Sequence, residues 1–371
     1  MDVKVKDIMA IMEKNFPLYL AEDWDNVGLQ VGSRDKVVKK IVIALDLDEL
    51  ILNKALKFGA DLIITHHPLF FKAIKSIDYN SPAGSLLKAI ISSDLAVYSA
   101  HTNLDAAEEG MNQVLAETLE LQNIQPLFSD HEDKLVKLTV FVPYTHLEQV
   151  RDAINKAGAG HIGNYSDCSF RTGGTGTFRP QDGSQPFLGT KNVLEEVDEF
   201  RLETIAYERN LAIIIKAMVQ AHPYEEVAYD IYPLLNQGKI YSIGRRGLWP
   251  KKNNLKACAE YVKTKLGLEA VRVAGELNRE ISRVAVVGGA GASLINKIIT
   301  QQIDLLITGD LKYHEAQEAN KWGIAVIDAG HLETEQIISP YLAGLIKTEI
   351  QHFNGKVEIL ALKNDPVIKF L

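Results

Sequence analysis

The chain has 371 residues, of which 46% are hydrophobic, a formal net charge of −8 and two cysteines; it is longer than one typical domain and has ample material for a buried core. Cys168 and Cys258 stand far apart, which excludes a disulfide framework and a thiolate metal site, and the mildly acidic balance gives no support to a general nucleic-acid binder. Apolar runs stay short of the roughly 18 residues needed to cross a membrane, and Asp2, Lys4, Lys6 and Asp7 put charges where a signal peptide is apolar, so the expectation is a soluble, cytoplasmic protein.

The first organised segment is "KIVIALDLDELILNKALKFGADLIITHHP", residues 40–68. Ile41 to Leu45 is a short β-branched run, Leu50 to Lys57 has helical spacing, Gly59 stops the helix, and Ile63 and Ile64 begin a second strand. This pattern predicts a parallel βαβ unit. From about 132 to 236 the chain changes character. "KLVKLTVFVPYTHLEQVRDAINKAG" predicts an alternating strand and a helix with Leu147, Val150 and Ile154 on one side. A Gly-rich hairpin-like stretch, a charged strand "RLETIAYE", a helix over "NLAIIIKAMVQAH" and a strand "VAYDIYPL" follow, in the order of a ferredoxin-like domain. Then "RVAVVGGAGASLINKIITQQIDLLITGD", 283–310, repeats the first unit. Ile41 falls on Val284, Asn53-Lys54 on Asn296-Lys297 and Asp61 to Thr65 on Asp304 to Thr308, all at one offset of 243 (284 − 41). A further strand follows each copy, ending in "SAHTNLD" and in "DAGHLETE". The expected architecture is therefore α/β: two duplicated α/β lobes with βαβ-type sheets and flanking helices, interrupted by a ferredoxin-like α+β insert. The boundaries are set at 1–130, 131–237 and 238–371, with the two lobes packing to form one cleft.

The chemistry gathers at the ends of the repeated strands, where open α/β sheets place their ligands. Pro68 ends a strand directly after His66 and His67, and adjacent strand residues point to opposite faces, so both cannot be ordinary core residues. The first lobe adds His101 and Asp105, the second His331 and Glu335, an i, i+4 pair that shares one helix face. Imidazole and carboxylate ligands suit zinc, manganese, iron, cobalt or nickel. Six groups exceed the needs of one tetrahedral site, so two divalent ions are expected. His66 and His67 diverge onto different ions, Asp105 joins one, His331 joins the other, and Glu335 bridges. His101 is read as a proton shuttle, a ligand or a support for one. The residual positive charge would favour an activated water and an anionic substrate.

At these residues the chain resembles a known family, the YbgI-like dinuclear-metal proteins also called GTP cyclohydrolase 1 type 2, or NGG-interacting-factor-three-like. The matching pieces are "AEDWDNVGLQVG" (21–32), "ITHHP" (64–68), "TNLD" (102–105), "ITGDLKYHEA" (307–316) and "DAGHLETE" (328–335). "GHIGNYSDCSF", "GTGTFRP" and "HPYEEVAYD" resemble the PII/CutA-like insert of the longer members. The resemblance implies two metal ions per subunit held by His66, His67, Asp105, His331 and Glu335, and a toroidal homohexamer around an internal cavity. It also implies hydrolysis of GTP to 7,8-dihydroneopterin triphosphate and formate. A phosphoesterase or nucleotide hydrolase, and a non-catalytic metal-binding ring with a ligand-sensing insert, are the rival readings.

Other motifs read less sharply. Asp25 and Asn26 beside Trp24, and Asp310 with His314 at i, i+4, are candidate substrate contacts, with a turn and a helix cap as the plainer readings. "VVGGAGASL" (286–294) is a turn that can present N–H groups to phosphate, although Leu294 stands where a dinucleotide fingerprint needs its third glycine. His222, Glu225 and Glu226 read as a capped turn, with a metal or nucleotide role as the sharper reading.

Overall fold

The computed structural model describes residues 2–351 and 356–369 as a mixed α/β protein with several sheets, divided into two compact units: Met1–Asp130 with Tyr241–Leu371, and His131–Ile240. Among the described residues no helix is long and apolar enough to cross a membrane.

The larger unit is built on two sheets. The first runs Gly28–Val31, Ala96–Ser99, Leu62–Thr65, Lys40–Ala44, Glu358–Ala361, parallel except for the antiparallel edge strand Gly28–Val31. The second runs Arg272–Ala274, Ala325–Asp328, Leu305–Thr308, Glu280–Val286, Arg245–Asn254, Gln122–Pro126, with a parallel trio at its centre. The central strands are apolar on both faces because both faces are covered. Ile41, Ile43, Leu62 and Ile64 pack on one side with the helices Val5–Asn15 and Ile338–Ile350, while Val42, Ala44 and Ile63 pack on the other with the helix Glu49–Phe58.

The repeat has a physical basis. In each copy the aspartate that opens the second strand ties down the start of the first: Asp61 Oδ2 accepts from Lys39 N (2.7 Å) and Lys40 N (3.0 Å), and Asp304 Oδ2 from Ser282 N (3.2 Å) and Arg283 N (2.8 Å). The closing threonines, Thr65 and Thr308, turn their hydroxyls onto His67 O (2.8 Å) and Gly289 O (3.1 Å), just past the strand ends. The copies differ between the strands. The first has a ten-residue helix, capped by Asp48 Oδ1 on Ile51 N and ended by Gly59 at φ 77°. In the second, the helix is broken into Gly291–Leu294, Ile295–Ile298 and Ile299–Gln301, two of them 3-10 turns.

The expected contiguous lobes need correction. Gln122–Pro126, placed in the first lobe, is the edge of the second sheet, and Glu358–Ala361, placed in the second, is the edge of the first. Each sheet is thus closed by a strand from the other half of the chain.

The smaller unit is one antiparallel sheet, ordered Tyr229–Pro233, Leu135–Pro143, Glu195–Tyr207, Ser169–Phe178, with helices Leu147–Lys156 and Leu211–Ala221. Alternate residues Val136, Leu138, Val140 and Val142 face Leu147, Val150, Ile154, Ile214 and Met218 in its core. The Gly-rich stretch is a ten-residue strand, and the charged strand extends back to Glu195.

Candidate metal centre

The strand Leu62–Thr65 carries its backbone pairing two residues further, with His66 N on Ala44 O and His67 N on Leu45 O (3.0 Å). This fixes both histidines at the sheet's C-terminal edge. His101 follows the next strand after one residue, Ala100, and Asp105 lies one turn on in the short helix Thr102–Ala106. The second lobe repeats this with the helix His331–Glu335, but one extra residue, Gly330 at φ 88°, intervenes after Ala329.

Four imidazoles meet here, each held from behind by an oxygen. Nδ1 lies 2.9 Å from Ala100 O in His66, 2.8 Å from Asp46 Oδ1 in His67, 2.9 Å from Asp25 Oδ1 in His101 and 2.7 Å from Asp310 Oδ2 in His331. An acceptor at Nδ1 fixes the proton there, so Nε2 of each neutral ring presents a lone pair. Ligand atoms of His66, His67 and His101 all lie within 4.8 Å of one another, as do those of His67, His331 and Glu335. Glu335 spans the two groups, with Oε1 3.8 Å from His66 Nε2 and Oε2 3.2 Å from His67 Nε2 and 3.1 Å from His331 Nε2. Asp105 Oδ1 is 3.6 Å from His66 Nε2.

His66 Nε2 and Glu335 Oε2 are buried without a hydrogen-bond partner, and the Nε2 atoms of His67 and His331 face each other at 3.3 Å. With the four rings neutral, lone pairs and carboxylates converge with no donor among them, which suits a divalent cation bound by nitrogen and oxygen. Protons compete for the same lone pairs. Burial opposes charge on His67, yet Asp46 and Glu335 raise its pKa to about 10. Glu335 is the main cause that raises His331 to about 9. Burial alone would raise the Glu335 carboxyl, but His331, His66 and His67 hold it well below its ordinary value. Burial pushes the Asp105 carboxyl up, with His66 opposing.

The ring centroids of the adjacent histidines are 5.0 Å apart; both rings enter the group with His101, and of the two only His67 also enters the group with His331 and Glu335. The glycine stretch is a structural turn. Its N–H groups are engaged by side chains: Gly288 with Asn112 Oδ1 (2.8 Å), Gly289 with Thr334 Oγ1 (3.0 Å) and Gly291 with Thr308 Oγ1 (3.0 Å). The turn instead makes room, since a Cβ on Gly289 (φ 62°) would lie 2.2 Å from Glu335 Oε1.

A cavity of about 510 Å³ belongs to the smaller unit, and a larger one of about 800 Å³ opens beside His67 and His331. Of the four candidate substrate contacts only Asp310 lines the larger cavity. Asp25 is taken up by His101 and by Thr102 N and Oγ1, which outweigh burial and lower its carboxyl to about 2. Asn26 Nδ2 donates to Gln30 Oε1 and to Phe70 O, and His314 sits exposed with its ring on Tyr313. The larger cavity sets Pro68, Phe70 and Phe71 against Asp46, Asp48, Asp310, Asp328, Glu333 and Asp365; its one arginine or lysine among the described residues, Arg272, pairs with Asp328. Asp46 was not singled out from the sequence, although it falls on Gly289 at the repeat offset.

A family model described as Duf34/NIF3 (NGG1p interacting factor 3) matches residues 3–366. The chain belongs to the Duf34/NIF3 family. A Bacillus subtilis (strain 168) relative of this family, named "GTP cyclohydrolase 1 type 2 homolog", is 42% identical over 329 residues, 89% of this chain and 88% of the relative. A Bacillus cereus protein related to NIF3 has a solved structure that matches with a TM-score of 0.93 at 40% identity over the whole of both chains. The structure of a Staphylococcus aureus protein, 27% identical, matches with a TM-score of 0.81 over 100% of this chain and 99% of that one. The Duf34/NIF3 fold therefore places the buried His/Glu cluster, which has the chemistry to bind a metal ion, between the strand ends of the larger unit.

Proposed function

We propose that this chain is a divalent-metal hydrolase of the GTP cyclohydrolase 1 type 2 kind. The observation that carries the reading is the convergence of three imidazoles, His66, His67 and His331, each fixed through Nδ1, on the Glu335 carboxylate, with His101 grouped beside the first two. His66, His67, Asp105, His331 and Glu335 would hold two ions, with Glu335 bridging, since its two oxygens address different histidines. Bound there, the ions supply Lewis-acid activation of water and substrate. His101 accepts the proton of the attacking water at Nε2, and Asp25 behind it stabilises the imidazolium and fixes its orientation. Phe70 and Phe71 give a flat heterocycle an apolar wall.

The carboxylate-rich lining repels a triphosphate, so in this reading the phosphates of GTP point out of the cavity and only the base lies against its wall. The test is to incubate metal-loaded protein with GTP and follow formate and, after oxidation, pterin fluorescence. Both products are expected, and both should vanish in Glu335→Ala. Absence of product above that control overturns the cyclohydrolase reading; phosphate release with an intact guanine ring would make the chain a phosphoesterase instead.

The assembly and domains are read in the same way. The smaller unit is proposed to be a ferredoxin-like, PII/CutA-like insert spanning 131–237, a reading supported by its βαββαβ order and antiparallel sheet. The whole chain is proposed to form a cytoplasmic homohexameric ring; sedimentation at six times the monomer mass supports that, and a monomer removes it. Turnover on no substrate, with the ring and metal retained, would favour the scaffold reading.

A further inference from the structure

The smaller unit has a cavity of its own, of about 510 Å³. That volume lies in the range of small-molecule sites. Its walls include three aromatic rings, with Tyr224 5.9 Å from Phe178 and 6.3 Å from Phe187, centroid to centroid. Tyr224 is set by the histidine two residues before it. His222 donates from Nε2 to Phe141 O (2.9 Å) and accepts at Nδ1 from Tyr224 N (3.1 Å). The plain capped-turn reading of His222 therefore holds, and the turn it caps shapes the cavity.

The decisive residue is Glu199, which also lines the cavity and is only 8% exposed. Its Oε1 accepts from Tyr224 Oη (2.9 Å). Its Oε2 lies over the bare backbone of the glycine strand: a Cβ on Gly176 would stand 2.1 Å from it. Among the described residues no cation pairs with Glu199. The neighbouring guanidiniums are engaged elsewhere, Arg179 with Asn192 O (3.1 Å) and Arg201 with Glu203 (2.9 Å). A buried carboxylate with one neutral donor is costly unless a cation joins it. Glu225 and Glu226 add two further negative charges to the wall.

We propose that this cavity binds a small organic cation, an amine or amidine on an apolar or aromatic body, with its charged nitrogen on Glu199 and its body among Phe178, Phe187 and Tyr224. Aromatic faces and a desolvated carboxylate favour the same charge in the same place. An anionic ligand would meet three carboxylates against a single lining guanidinium, Arg179, already held by Asn192 O. The inference is independent of the metal centre's chemistry.

The test uses the full-length, metal-loaded protein with three probes of one shape: phenethylamine, the neutral 2-phenylethanol and the anionic phenylacetate. Binding is read by ligand-observed NMR. Phenethylamine should bind saturably and the other two at least about tenfold more weakly. Glu199→Gln keeps the Tyr224 hydrogen bond and should weaken phenethylamine about tenfold without changing the metal content. Phe187→Ala, at a ring 48% exposed and so safe for folding, should weaken it about threefold by loss of one aromatic wall. Equal binding of the three probes, no binding of phenethylamine, or binding unchanged in both variants overturns the proposal. The last result would place the amine outside this cavity.

Discussion

The two copies of the repeat end in the same place and offer different things there. At the ends of matched strands the first lobe has His66-His67 and the second Gly309-Asp310. Asp46, which holds His67, falls on Gly289, which makes room for Glu335. A Cβ on Gly309 would lie 2.6 Å from His331 N, so the second lobe is bare where the first is chemical. Only the next strand ends keep the same pairing, His101 with Asp105 and His331 with Glu335, each histidine backed by an aspartate. One copy has become the main donor of imidazoles. The other has become a cradle that carries one histidine and the central carboxylate.

The strongest way to break this asymmetry is at His67, which belongs to both ligand groups. His67→Ala should cost more bound metal than His66→Ala or His331→Ala, and more than the roughly 10–100-fold in affinity that loss of an outer partner costs. Metal analysis of the three variants after dialysis checks the order. Next comes the cradle. Gly289→Ala should weaken metal binding about tenfold by displacing Glu335, and should lower stability by about 1–2 kcal/mol through its left-handed backbone. Calorimetric titration and denaturant unfolding measure the two effects. Smallest are the aspartates behind the rings. Asp46→Asn and Asp310→Asn, behind the ligands His67 and His331, should each cost up to about tenfold in metal affinity. Asp25→Asn, behind the proton acceptor His101, should leave metal content unchanged and lower turnover instead. A metal loss at Asp25→Asn equal to the other two would make His101 a ligand rather than a proton acceptor.

Much of this was legible along the chain because it is local. The strands Leu62–Thr65 and Leu305–Thr308 lie one offset apart, as the shared aspartates and threonines require. The histidines stand out because a polar pair cannot end a buried strand without a use. What stayed hidden depends on distance. Gln122–Pro126 has no alternating pattern and pairs with residues more than a hundred positions away, so nothing local assigns it to the second sheet. Asp46 looks like any loop aspartate until His67 is folded against it. The glycine stretch reads as a turn in the sequence, but the side chains that take its N–H groups, from Asn112, Thr308 and Thr334, lie elsewhere along the chain and are not legible from it.

The shared centre is tested most directly by anomalous diffraction from crystals grown with manganese or zinc. The account predicts peaks at coordination distance, about 2.0–2.2 Å, from Nε2 atoms of both His67 and His331, with Glu335 reaching the same ions. Peaks bound by residues of one lobe alone, or none near these imidazoles, would contradict it.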